Sequence, residues 1–187
     1  MNTERDGLAG ARTGRLDLVP LAALHADEMA GVLADPALHA FTGGAPLTAP
    51  ELRARYERLV AGSPDPAVVW RNWVVRLRAE DRLAGTVQAT VTDGGRTAEV
   101  AWVTGTRWQG RGIAREAAAA LVALLLAEGV RTVVAHVHPD HGASAAVARA
   151  AGLRPTDEQQ DGELRWELRA DRDDLPPELR DGAVVRF

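Results

Sequence analysis

From Trp70 onward the apolar residues recur at every second position, in three successive runs over residues 72–78, 83–91 and 98–104. Period two puts alternate side chains on opposite faces of a strand. The runs are divided only by Ala79-Glu80-Asp81 and Thr92-Asp93-Gly94-Gly95. Such short links cannot carry a crossover, so the three runs predict an antiparallel meander. Upstream, residues 15–19 alternate Leu16 and Leu18 with polar neighbours and predict a first strand ending at Pro20. Leu21, Leu24, Met29, Val32 and Leu33 then follow helical spacing across residues 21–34, which stop at Asp35-Pro36. After a Thr42-Gly43-Gly44-Ala45-Pro46 turn signal, Thr48 is placed to cap a second helix that ends at Gly62 and Pro64. Downstream of the meander come a glycine turn at 109–112, an apolar helix closing near Gly129, a strand at 132–137, a helix at 143–151 ended by Gly152, and a last strand at 164–168. This order predicts an α/β (α+β) fold: a central mixed, mostly antiparallel sheet flanked by helices. The 187 residues suit one domain, with an extension over 1–13, a core over 15–170 and a charged tail over 171–187.

Composition removes several chemistries. Cysteine is absent, which excludes disulfides, thiolate metal sites and a cysteine acyl-enzyme. All 22 basic residues are arginine, so lysine Schiff bases are excluded while bidentate recognition of phosphate or carboxylate is well supplied. The 26 acidic residues bring the net charge to −4, which argues against a broad nucleic-acid surface and favours a small anionic ligand. The longest uncharged apolar run, residues 117–127, is far short of a bilayer span. Residues 1–14 carry Glu4, Arg5, Asp6 and Arg12 and no apolar stretch of the signal-peptide kind. A cytoplasmic protein with no membrane partner is expected.

The most specific segment runs from Glu99 through Val103 and Thr104 to Gln109-Gly110-Arg111-Gly112-Ile113-Ala114 and opens directly into a helix. A strand that ends in a glycine turn at a helix N-terminus gathers several backbone N–H groups at the positive end of the helix dipole, a geometry that binds phosphate. Arg111 and Arg115, four apart, are expected on one helical face to add charge-assisted bonds. No Gly-Lys-Ser/Thr follows, so this is not a Walker loop, and the preceding strands do not belong to a βαβ dinucleotide unit.

Gln109-x-x-Gly112-x-Ala114 resembles the Q/R-x-x-G-x-G/A signature of the GNAT superfamily of N-acetyltransferases. The resemblance covers roughly residues 15–168. Its opening segment at 14–20 and the stretch 99–114 look like the branch containing the ribosomal-protein N-terminal alanine acetyltransferases. It implies acetyl-CoA as acyl donor, with no metal, and a sheet splayed between the fourth and fifth core strands, the runs 98–104 and 132–137. Val103, Thr104, Gln109, Gly110, Arg111, Gly112, Ile113, Ala114 and Arg115 would then hold the cofactor, joined by His141 and Ser144 in place of the family's N-x-x-S. The implied reaction is direct attack of a neutral amine on the thioester, with CoA thiolate leaving and no covalent enzyme intermediate. Glu99 and His136 are the candidate bases. Ala148 stands where many members carry a tyrosine acid, leaving Ser144 or water to protonate the thiolate. The same resemblance places Phe41, Trp73 and Trp102 around the acceptor, a small-molecule amine or a protein N-terminus, in a monomer or homodimer.

Two other readings compete. The departures at His141 and Ala148 leave room for a GNAT-fold module that binds CoA without catalysis, or that transfers another acyl or aminoacyl group. His136-Val137-His138-Pro139-Asp140-His141 also fits H-x-H-x-D-H, the metal signature of metallo-β-lactamase-like hydrolases, because histidines at i and i+2 of a strand share a face. No histidine follows His141 to complete a dinuclear set.

Overall fold

The computed structural model describes residues 8–41 and 43–170. The expected tail over 171–187 and the first half of the expected extension lie outside these. Among the described residues eight strands form one open sheet: β1 (Ala11–Arg12), β2 (Leu16–Pro20), β3 (Val69–Leu77), β4 (Arg82–Thr92), β5 (Thr97–Thr104), β6 (Thr132–Val137), β7 (Arg154–Gln160) and β8 (Glu163–Arg169). Their spatial order is β1-β2-β3-β4-β5-β6-β8-β7, and only the β5–β6 pair is parallel. Four α-helices of the described residues flank the sheet: α1 (Ala26–Val32), α2 (Ala49–Ala61), α3 (Ile113–Ala127) and α4 (Gly142–Ala150).

Local sequence explains most of these elements. In α2, the Thr48 N–H and hydroxyl both donate to Glu51 Oε2, at 2.8 and 2.7 Å, closing a capping box that holds the Glu51 carboxyl below its usual range. Gly62 ends the helix at φ +90°, a conformation that glycine adopts without penalty. The meander runs β3-β4-β5 with Trp73, Val87 and Trp102 in one cross-strand row. In α3, Ile113, Ala117, Leu121, Val122 and Leu125 are buried, and the helix carries the chain from β5 to the parallel β6.

Two expectations need correction. Residues 21–34 do not form one helix: a 3₁₀ turn over Ala23–His25 precedes α1, and Leu24 of the expected apolar stripe is 71% exposed. The two outermost strands, β1 and β7, were not expected. β7 is an exposed edge strand with almost no apolar alternation and therefore no periodic signal. The last strand, β8, is the second arm of a hairpin with β7, turned by Asp161 and Gly162 at φ +52° and +84°.

His25 is buried in the 3₁₀ turn before α1, and its Nδ1 accepts from the Ala22 N–H at 3.1 Å. Burial, with the nearby Arg76 charge, pushes its pKa down against the opposing pull of Glu28. A lowered folded pKa means that the unfolded chain takes up the proton first as pH falls. Stability is therefore full above about pH 6.5 and is lost as pH falls from there through the folded value. Thermal melts between pH 7 and 5 are expected to show this slope, and His25→Asn, which keeps an acceptor near Nδ1 but cannot titrate there, flattens it. An unchanged slope in the variant would remove His25 as its source.

Candidate active site

β5 and β6 pair only through Thr97 with Thr132, Ala98 with Val133 and Glu99 with Val134. Beyond these the two strands part, and the expected splay is present. A cleft of about 560 Å³ opens along residues 100–104 of β5 and the end of β6, with α4 and the chain around Leu38 and Phe41 as further walls.

The glycine turn stands at the mouth of this cleft. Gly110 and Gly112 take φ values of +72° and +75°, and Gly112 is the N-cap of α3. With no side chain at the cap, none competes for the first-turn N–H groups of Ile113, Ala114 and Arg115. Gln109, Gly110, Gly112, Ile113, Ala114 and Arg115 all line the cleft, as do Val103 and Thr104. Gln109 Nε2 donates to the Thr104 carbonyl at 3.0 Å, which ties the turn to the strand end.

Arg111 departs from its expected place. It precedes the N-cap, so it shares no helical face with Arg115, and its Nη2 donates to Glu80 Oε1 at 2.7 Å, outside the cleft lining. Glu80 also accepts from the Trp108 indole at 3.2 Å, and these bonds, from Arg111 first and then Trp108, hold its carboxyl below the usual range. On the other side of the turn Glu116 accepts from Thr13 Oγ1 at 2.5 Å and Arg15 Nε at 2.7 Å. Arg15 Nη1 in turn donates to the Arg111 carbonyl at 3.0 Å. Burial disfavours the Glu116 charge, but these bonds outweigh it and its pKa falls. The turn is thus fixed from both sides by carboxylates that sequence reasoning missed.

The three histidines of the H-x-H-x-D-H segment do separate jobs. His136 Nδ1 lies 3.2 Å from Glu99 Oε1. His138 falls past the end of β6, so it does not share a strand face with His136, and its Nδ1 accepts from the Asp140 N–H at 3.1 Å. His141 is the N-cap of α4, its Nδ1 facing the Ser144 N–H at 3.5 Å, and its ring stacks on Phe41 with centroids 4.3 Å apart. Burial first, and then the neighbouring His138, lowers the His141 pKa. Among the described residues no three histidine, aspartate or glutamate side chains converge on a metal position.

Phe41, Trp102, His136, His138, His141 and Ser144 all line the cleft, and the Trp102 indole donates to Ser144 Oγ at 3.3 Å. Trp73 does not. It is 0% exposed on β3, two strands from the wedge, and its indole donates to the Ala9 carbonyl at 2.7 Å. Glu99 stands at the apex, outside the lining. Tyr56, the only tyrosine, is buried in the core with its pKa pushed up to about 12 by desolvation, and Ala148 is buried as well. Neither supplies an acid to the cleft. Glu163 is a lining residue that sequence reasoning missed; it enters because the β6–β8 ladder pairs Val137 with Leu164.

An open sheet wedged between two parallel strands, with a glycine turn feeding a helix beside the wedge, is an arrangement suited to an anionic ligand with an extended arm. Residues 15–154 match the family model described as acetyltransferase (GNAT) domain, and the chain belongs to that family. It is an acyltransferase of the GNAT type, a fold consistent with acetyl transfer from acetyl-CoA. A GNAT-family acetyltransferase from Bacillus anthracis superposes with a TM-score of 0.72 at 18% identity, covering 86% of this chain and 98% of that one. The microcin C7 self-immunity acetyltransferase, solved in complex with acetyl-CoA and AMP, gives 0.70 at 16% identity over 84% and 94% of the two chains. An acetyltransferase from Salmonella typhimurium that modifies the N-terminal serine of ribosomal protein L7/L12 gives 0.69 at 16% identity over 85% and 97%. No curated protein sequence matches the chain. Among the described residues no helix is long and apolar enough to cross a membrane.

Proposed function

We propose that this protein transfers an acetyl group from acetyl-CoA to a primary amine, by direct attack with both substrates bound, in the manner of the ribosomal-protein N-terminal acetyltransferase branch. The observation that carries the reading is the uncapped start of α3 at the mouth of the β5–β6 wedge: an anion site and a slot for an extended arm, joined in one cleft. Acetyl-CoA supplies a thioester carbonyl open to attack by an amine.

The N–H groups of residues 112–115 and the Arg115 guanidinium hold the pyrophosphate. Residues 100–104, free of strand pairing on the β6 side, offer main-chain groups to the amide-bearing arm. His141 uses Nδ1 as acceptor within α4, so its neutral ring offers Nε2–H as a donor where the family has an asparagine amide. A main-chain N–H near Val103 polarises the thioester carbonyl as an oxyanion-type donor. His136 and Glu99 are the groups placed to take the amine proton. Phe41, Trp102 and Glu163 border the acceptor. The Salmonella protein's serine acceptor supports a polypeptide N-terminus as the amine, and the similarity to a spermidine N-acetyltransferase supports a small-molecule amine as the alternative.

Titration calorimetry of the purified chain with acetyl-CoA, beside CoA and zinc, tests the reading. Stoichiometric binding of both CoA species and no zinc uptake are expected, followed by thiol release when an acceptor amine is added. Absence of acetyl-CoA binding, or zinc bound in its place, would overturn it. Binding of acetyl-CoA with no turnover across amines would favour a non-catalytic CoA module, a reading motivated by the absence of a tyrosine acid from the cleft.

A further inference from the structure

We infer that Glu99 and His136 work as one unit, with Glu99 a positioning residue that fixes the tautomer of His136 and His136 the group that takes the proton from the acceptor amine. The inference rests on the acetyl-transfer reading and names the proton acceptor within it.

Three imidazoles line the cleft, and their local partners divide them into two kinds. His138 and His141 each use Nδ1 to accept a main-chain N–H, from Asp140 and Ser144. A neutral imidazole carries one proton, so in both rings it sits on Nε2, and both are donors through that nitrogen. His136 is the opposite case. Its Nδ1 faces Glu99 Oε1 at 3.2 Å, and a carboxylate only accepts, so Nδ1 carries the proton and Nε2 is left with its lone pair. Among the described residues His136 is the cleft imidazole whose Nε2 is a base.

The position of the pair follows from register. Glu99 is the last β5 residue paired to β6, opposite Val134, and His136 lies one step further along the same face. The carboxylate is 59% exposed and the imidazole 12%, so the proton acceptor is inside and its partner faces water. Arg165, across the ladder from His136, would oppose a charged imidazole, but it is itself held by Glu167 and by Glu158 at 3.5 Å.

The step balances without another reagent. As the amine nitrogen bonds to the acetyl carbon, the carbon–sulfur bond breaks and its electron pair leaves on sulfur. One N–H proton of the amine moves to His136 Nε2, and the products are the amide and the CoA thiolate. Glu99 stabilises the imidazolium until the proton passes to solvent.

Long-range ¹H–¹⁵N spectra of the uniformly labelled full-length protein test the tautomers without an acceptor, with His136 assigned by its loss in His136→Gln. The expected result is Nδ1–H for His136 and Nε2–H for His138 and His141. Glu99→Ala abolishes the His136 preference, and Glu99→Gln, which keeps an acceptor oxygen without the charge, restores it. In thiol-release assays with acetyl-CoA and either spermidine or an alanine-initiated peptide, His136→Gln lowers kcat about 100-fold. Glu99→Ala lowers it about tenfold and Glu99→Gln regains only part, with KM for acetyl-CoA unchanged throughout. The Glu99→Ala/His136→Gln double variant is no slower than His136→Gln alone. Nε2–H at His136, additive losses in the double variant, or no turnover of either amine by wild type that binds acetyl-CoA would overturn the inference. Failure of wild type to bind acetyl-CoA in calorimetry would instead overturn the acetyl-transfer reading on which it rests.

Discussion

Gly112→Asp is expected to weaken acetyl-CoA binding about 100-fold while leaving the fold in place. Gly112 sits at φ +75° as the N-cap of α3, and its nearest neighbour for an added Cβ is Arg15 Nη2 at 3.4 Å. A left-handed conformation costs most L-residues roughly 1–2 kcal/mol, but aspartate tolerates it better than most. An aspartate at an N-cap also recovers about 1 kcal/mol by accepting first-turn N–H bonds. The two effects offset, so the melting temperature should move little. Binding does not share that compensation. The new carboxylate occupies the N–H groups that an incoming phosphate needs and sets a like charge beside it. At about 4 Å and an effective dielectric near 20, that repulsion is roughly 4 kcal/mol before salt screening, and 100-fold in affinity is about 2.8 kcal/mol. Gly112→Ala, which adds the strain without the charge, is expected to lose about tenfold. Calorimetry with acetyl-CoA, beside a melt of each variant, separates the two contributions. Equal affinity for wild type and Gly112→Asp would refute the glycine turn as the phosphate site.

That turn was legible because its signal is local. Two glycines before an apolar helix specify left-handed backbone and an open cap, and Gly110 and Gly112 both adopt it. Thr48 and Gly62 bracket α2 for the same reason, and three adjacent alternating runs sufficed for the β3–β5 meander. What was not legible depends on partners distant in the chain. Arg15 meets Glu116 across 101 positions, and Arg111 meets Glu80 across 31. No periodicity announces such pairs, so Arg111 read as a phosphate ligand although a carboxylate already holds it. Trp73 read as an acceptor wall because an indole suits either a core or a pocket, and only the strand order shows it two strands from the wedge. The hairpin β7–β8 did leave a trace in Asp161-Gly162, a dipeptide suited to a two-residue turn, but the polar run before it masked the strand. The histidines are the sharpest case. Spacing alone grouped them as possible metal ligands, whereas their hydrogen-bond partners separate one acceptor from two donors.

Gly85→Ala carries the largest expected effect on stability, although nothing in the local sequence marks the residue as special. Gly85 lies within β4 opposite Thr104, beside the register shift where Val75 pairs Gly85 and Arg76 pairs Leu83, and its φ is not left-handed, so freedom to adopt positive φ is not the reason for glycine here. The reason is space. An added Cβ would stand 2.1 Å from the Val103 carbonyl oxygen and 3.0 Å from Thr104 Cα. Both are backbone atoms of the neighbouring strand, which cannot rotate aside, so β4 and β5 must separate locally and give up ladder bonds. A cost of about 3 kcal/mol is expected, which for a chain of this size lowers the melting temperature by about 6–12 °C. Val103 and Thr104 also line the cleft, so the displacement reaches the site. Acetyl-CoA affinity measured on the folded variant well below its melt should fall about tenfold, a loss of about 1.4 kcal/mol. Gly142→Ala is the matched comparison: it opens α4, has no neighbour within 4 Å of a new Cβ, and should be neutral or stabilising by about 0.4–1 kcal/mol. If Gly85→Ala melts with Gly142→Ala and binds acetyl-CoA as wild type does, the close approach of β4 to β5 does not shape the wedge. If it loses both stability and affinity, the wall of the cleft is set by the absence of a single methyl group on the adjoining strand.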